Sequence, residues 1–239
     1  MCFSAGASFA GGVVISAVGV ATVRKARKPT KRLFAGIPLL FGFQQFAEGV
    51  LWVTLRSSGH DWLQNAATYI FLITALVIWP VLIPLSIWFM EEVKKRRKIL
   101  VGLVVTGVIL SLFYAFCLVF YNVTPQINGF HIKYVDEFPK PFVDIAFSLY
   151  LISTIAPLFV SSVRRMWLFG LLIAISCIVT GVFFVQYLTS VWCFFAALIS
   201  IVIYFILSEP IHFRKRTNLF ARLNIVSAIA GGRKPIKKS

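Results

Sequence analysis

Acidic residues are scarce in this chain, with eight Asp and Glu against 24 Lys and Arg in 239 residues and a formal net charge of +16. Charged residues of both signs make up only 13% of it, well below the roughly 25% of a soluble domain. Three histidines lie far apart, at 60, 131 and 212, and four cysteines lie at 2, 117, 177 and 193. Neither H-x-x-x-H, H-E-x-x-H nor C-x-x-C occurs, so no metal site is expected. No G-x-S-x-G is present to announce a serine nucleophile. The last apolar block holds no lysine for a retinal Schiff base, and no apolar block carries the spaced arginines of a voltage sensor. The N-terminus has no basic region and no cleavage site, so no cleavable signal peptide is expected. An internal repeat of the kind that marks duplicated transporters is also missing.

What the chain has in abundance is apolar residue, 59% of the total, with a mean hydropathy of +0.87. It comes in long blocks, as expected of helices that are apolar all round. Seven such blocks lie near 4–23, 33–55, 66–89, 99–121, 142–163, 166–186 and 191–208. Each is long enough to cross about 30 Å of hydrocarbon. The fold class expected is all-α, a polytopic membrane domain over residues 1–210 followed by a basic tail at 211–239. Pro80 and Pro84 should loosen the third span, because each removes a backbone donor.

Basic residues sort by position. Of the 24, 21 fall in the loop after the first span, the loop after the third, the Arg164-Arg165 turn and the tail; Arg56, Lys133 and Lys140 fall on the other side. That bias predicts an N-out, C-in topology in the cytoplasmic membrane. Leu219, Leu223 and Val226 recur at helical spacing among basic residues, which predicts a short amphipathic helix lying on the interface. Anionic lipid at the cytoplasmic loops and tail is the expected partner. Nucleic acid is not, since no soluble basic domain exists to hold it.

Against this background the second span reads Phe41-Gly-Phe-Gln-Gln-Phe-Ala-Glu-Gly-Val-Leu-Trp52. A carboxylate near mid-bilayer costs about 3 kcal/mol on insertion scales, so Glu48 should face protein or water. Gln44, Glu48 and Trp52 repeat at one helical turn and Gln45 lies three before Glu48, which puts them toward one face. With this topology Glu48 lies about 10 Å below the outer end of its span. Tyr69, Asp144, Ser4 and Cys2 belong to the same outer layer. Together they make a candidate outward-facing pocket, although Gln44, Gln45 and Glu48 also suit simple helix-to-helix hydrogen bonding.

Three functions fit. The leading one is binding of a small molecule or lipid by a receptor or carrier, with the two amides orienting a polar group, Glu48 accepting a cation or donor and Trp52 forming a wall. The second is a membrane hydrolase or acyltransferase using Cys2 or an outer-half Ser as nucleophile with Glu48 or Asp144 as base. The third is a proton-coupled transporter in which Glu48 carries the proton. No cofactor is identified.

The opening Met1-Cys-Phe-Ser-Ala5 with Ala7-Ser-Phe9, the basic loop, and the run from Pro38 through Gln44, Gln45 and Glu48 to Trp52 resemble an uncharacterised family of bacterial seven-span membrane proteins. The likeness is strongest over about the first 55 residues. It implies the architecture and singles out Cys2, Ser4, Gln44, Gln45 and Glu48 as signature positions; it implies no activity.

Overall fold

The structure, a computed structural model, describes residues 4–57, 59–183 and 187–208. Cys2, Gln186 and the tail at 211–239 lie outside the described residues. Helices dominate: α1 (Ala5–Lys25), α2 (Pro29–Ala35), α3 (Ile37–Thr54), α4 (Asp61–Leu72), α5 (Trp79–Met90), α6 (Lys94–Phe120), α7 (Lys140–Val160), α8 (Met166–Phe183), α9 (Leu188–Ile199) and α10 (Ile201–Ser208). Among the described residues seven helical stretches are long and apolar enough to cross a membrane: Ala5–Lys25, Pro29–Thr54, Asp61–Met90, Lys94–Phe120, Pro141–Val160, Met166–Phe183 and Thr189–Leu207. These are the seven spans expected from the apolar blocks, and they mark a membrane protein.

Close approach between the first two spans follows from small residues. Ser8, Gly12, Gly19 and Thr22 form the buried side of α1. A Cβ at Gly42 of α3 would sit 2.2 Å from Ser16 Oγ and 3.1 Å from the Gly12 carbonyl oxygen. Lipid offers apolar helices no hydrophobic reason to associate, so van der Waals contact at such small-residue seams holds them together.

The third span loosens where its prolines predict. Between α4 and α5 the stretch Ile73–Ile78 is π-helical, and Trp79 N–H donates to Thr74 O, five residues back. Pro80 has no N–H to continue that pattern onto Ala75 O. The Ala75 carbonyl instead accepts from Tyr150 Oη on α7 at 2.7 Å, and the Val77 carbonyl accepts from Ser111 Oγ on α6. Such widened turns recur at functional sites because they release backbone groups for other partners. Pro84 likewise cannot donate to the Pro80 carbonyl, which packs on Gly107 of α6 so closely that a Cβ there would lie 2.0 Å away.

One element departs from the all-helical expectation. Strands β1 (Val123–Asn128) and β2 (His131–Asp136) form an antiparallel hairpin with Asn128 opposite His131. Its two-residue turn is Gly129-Phe130, with Gly129 at a φ of +60°, a conformation glycine adopts without strain. Alternation tucks Ile132 and Tyr134 inward, Ile132 fully buried and Tyr134 stacked on Phe71 at 5.1 Å. His131 stacks on Tyr187 at 4.7 Å, and burial holds its pKa below the usual imidazole value. The hairpin therefore closes one end of the bundle. The other end carries Arg24 to Arg32, Lys94 to Lys98 and Arg164-Arg165.

At that basic end a carboxylate ties two loops. Glu91, 2% exposed, accepts from Ser162 N at 2.7 Å, from Ser162 Oγ at 2.7 Å and from Val93 N at 2.9 Å. Arg96 Nη1 donates to Val160 O at 2.9 Å beside it. The α5–α6 and α7–α8 connections are thereby joined through one side chain.

Candidate functional site

The polar stripe of α3 is buried, as a charge in an apolar helix requires. Gln44, Gln45, Glu48 and Trp52 are each 0% exposed. Gln44 and Glu48, one turn apart, meet Cys193 and Ser190 of α9, three residues apart in the reverse direction. Gln44 Nε2 donates to Cys193 Sγ at 3.2 Å, and Ser190 Oγ donates to Glu48 Oε1. Two antiparallel helices are thus matched amide to thiol and carboxylate to hydroxyl.

Gln44 also faces the third span. Its Oε1 accepts from Trp79 Nε1 at 3.0 Å, while Phe41, one turn before, stacks on the Trp79 ring at 4.1 Å. The indole, placed directly after the π-helical turn, is fixed on both its polar and its apolar side. Gln45 is different: neither its amide nitrogen nor its oxygen has a hydrogen-bond partner among the described residues, and the same holds for Trp52 Nε1. The Arg56 guanidinium lies over the Trp52 ring at 5.1 Å from its centroid, a cation–π contact at the end of the stripe.

Beside this stripe lie three cavities that share walls. The innermost, about 50 Å³, is lined by Phe41, Trp79, Tyr150, Phe169, Trp192 and Cys193 among others. The next, also about 50 Å³, shares Tyr150, Trp192 and Cys193 with it and reaches Leu76, Tyr114, Phe147 and Thr189. Those last four residues also line the third and largest, about 340 Å³, beneath the hairpin, together with Tyr134, Asp136 and Asp144. The series runs from the hairpin end past the middle of the bundle, the first cavity reaching Leu158 near the end of α7 and Phe169 near the start of α8. Trp192 is 8% exposed, lines both inner cavities and has no hydrogen-bond partner for its Nε1 among the described residues.

The residues singled out in the sequence take different places. Gln44, Gln45, Glu48 and Trp52 share one helix, and Gln44 holds two cavity-wall side chains, Trp79 and Cys193. None of the four lines these three cavities; Asp144 lines the largest. Tyr69 is half-buried against the core and is not in these linings either. Ser4 caps α1, its hydroxyl accepting from Ala7 N at 3.3 Å. Sequence reasoning missed Ser190, Trp79 and Tyr150. A signal existed for Ser190, a small polar residue three before Cys193 that mirrors the Gln44–Glu48 spacing. Cys117, Cys177 and Cys193 are free thiols. Among the described residues no three His, Cys, Asp or Glu side chains converge as for a metal ion.

The pairing with Ser190 makes a direct prediction. Glu48→Gln retains an oxygen to accept the serine proton, so it should fold with little loss. Glu48→Ala leaves a buried hydroxyl without that acceptor and should cost about 2 kcal/mol. Thermal unfolding in lipid nanodiscs reads both; equal loss in the two variants would remove the hydrogen-bond explanation.

A protein-family comparison matches residues 1–217 to a family described as "Family of unknown function (DUF6629)". No curated protein and no solved structure matches the chain.

Proposed function

The chain belongs to the DUF6629 family of unknown function and takes no activity from it, so on the geometry of the bundle we propose a membrane-embedded binding protein, a receptor or carrier for a small molecule or lipid. The observation that carries this is the run of three wall-sharing cavities beside the polar stripe. Ligand sites are concave, mostly apolar and fitted with a few fixed polar groups, which describes these walls. In this reading Gln44 and Glu48 hold α3, α5 and α9 in register, so the pocket keeps its shape, and Asp144 stands at its mouth.

Most basic residues of the described chain, Arg24 to Arg32, Lys94 to Lys98 and Arg164-Arg165, gather at the end opposite the hairpin, against Arg56, Lys133 and Lys140 on the hairpin side. Positive loops stay in the cytoplasm, so the hairpin end and its cavity mouth face outward, in a bacterial cytoplasmic membrane. Anionic lipid headgroups meet the basic end.

Native mass spectrometry of the protein extracted with its own lipids tests the binding reading. Wild type should retain a small-molecule or lipid adduct. Ala196→Leu, which fills the innermost cavity, should lose it while Gly102→Ala on α6 keeps it. The same adduct pattern in all three proteins would exclude this pocket as the site.

Ser190 with Glu48 is the arrangement that favours the hydrolase or acyltransferase alternative, since a carboxylate here accepts a serine proton. Both side chains are fully buried and lie outside the three cavity linings, which weighs against attack on a substrate. Labelling by a fluorophosphonate that disappears in Ser190→Ala would reverse that judgement.

A further inference from the structure

The shape and charge of the cavity series narrow its ligand, an argument that rests on the binding reading above. Each inner cavity, at about 50 Å³, has room for roughly four water-sized groups. Such narrow space admits one alkyl chain and excludes fused rings or a tetrapyrrole. The mouth, at about 340 Å³, is wide enough for a head group.

Sign is set at the mouth. Asp136 and Asp144 line it, and among the described residues no Lys or Arg does. The carboxylates share that lining with Tyr114 and Tyr134, and an aromatic ring adds attraction for an ammonium placed over its face. Lys133 is offset by one from Tyr134 and so points to the other face of the hairpin. Between head and chain stands Trp192, a buried indole N–H without an acceptor among the described residues, at the boundary of the two inner cavities. A buried donor of this kind favours a ligand that brings an acceptor.

We infer that the cavities take a single-chain amphiphile with a cationic head, seated between Asp136 and Asp144, a carbonyl that accepts from Trp192 Nε1, and an alkyl chain running inward to Phe41 and Trp79. An acyl ester of a quaternary amino alcohol has all three features. Neutral phospholipids, with two chains and a phosphate that the two carboxylates repel, do not.

The test uses the full chain in zwitterionic-lipid nanodiscs. Trp62 and Trp167, both exposed, are changed to Phe to silence indoles that report general partitioning. Three probes are titrated with tryptophan fluorescence as readout: pentanoylcholine, pentyltrimethylammonium and pentanoate, whose chains match the space beyond Trp192. Pentanoylcholine should saturate with a shift that Trp192→Phe removes. Asp136→Asn with Asp144→Asn should raise its half-saturation point about tenfold or more. Pentyltrimethylammonium, lacking the carbonyl, should bind several-fold more weakly, and pentanoate weakest of all. Pentanoate binding as well as pentanoylcholine, or an unmoved half-saturation in the Asp pair, would overturn the cationic assignment and leave the binding reading standing. Equal affinity of the two cationic probes would overturn the carbonyl contact. Non-saturating signals for all three, together with an adduct pattern indifferent to Ala196→Leu, would overturn both readings.

Discussion

Gly107→Ala should lower the stability of the protein by about 3 kcal/mol, seen as a clear fall in its unfolding temperature in nanodiscs. The added Cβ would lie 2.0 Å from the Pro80 carbonyl oxygen and 2.7 Å from its carbon. Backbone atoms cannot rotate out of the way as a side chain does, so α5 and α6 must move apart. That movement reaches the pocket as well, because Trp79 precedes Pro80 and lines its inner wall. Gly102→Ala on the same helix is the comparison, since nothing lies within 4 Å of a Cβ there. Alanine also favours the helix by up to about 1 kcal/mol, so Gly102→Ala should be neutral or slightly stabilising. Equal behaviour of the two variants would mean that the Pro80 carbonyl is not packed against Gly107.

Glu91→Ala should cost a similar amount, about 3 kcal/mol. Three hydrogen bonds to one buried carboxylate are lost together, and each charge-assisted bond contributes roughly 1.5 to 3 kcal/mol, less when counted jointly. Two backbone N–H groups and a hydroxyl are then left at the basic end without that acceptor. Glu91→Gln should recover only part of the loss, since its amide nitrogen presents a donor either to Ser162 N or to Ser162 Oγ and Val93 N, which already donate there. Glu92→Ala, changing the exposed neighbour, should be silent. Urea or SDS titration of the four proteins reads the difference. A Glu91→Ala protein as stable as Glu92→Ala would show that the two loops hold without their link.

Much of the fold was legible in the residues themselves. Spans could be located because lipid demands about 20 apolar residues in a row, and the structure places seven such helices where those runs lie. Pro80 and Pro84 announced a loosened turn, and it lies at Ile73–Ile78. The hairpin was missed. Val123, Ile127 and Ile132 alternate over only a few residues, and a short strand beside long apolar blocks leaves a weak periodic signal. The candidate site was legible in part. Glu48 had to be sheltered wherever its helix packed, so its burial followed from charge alone. Its partner did not follow: helices apolar on every side carry no pattern that says which face meets which neighbour. Ser190, Cys193 and Trp79 became partners of the stripe only through the rotation and depth of α9 and α5.

By itself, then, the sequence determined the number of spans, the gathering of positive charge at one end, and a polar stripe in the second span that must be hidden from lipid. Those properties depend on how long and how apolar each segment is, which neighbours in space do not alter. Only the tertiary structure decided that the stripe is bound to α9 and α5, that the cavities run beside it under a hairpin, and that Tyr150 takes up the carbonyl freed before Pro80. Those outcomes depend on side chains far apart in the chain meeting at distances of about 3 Å, and that is settled by packing.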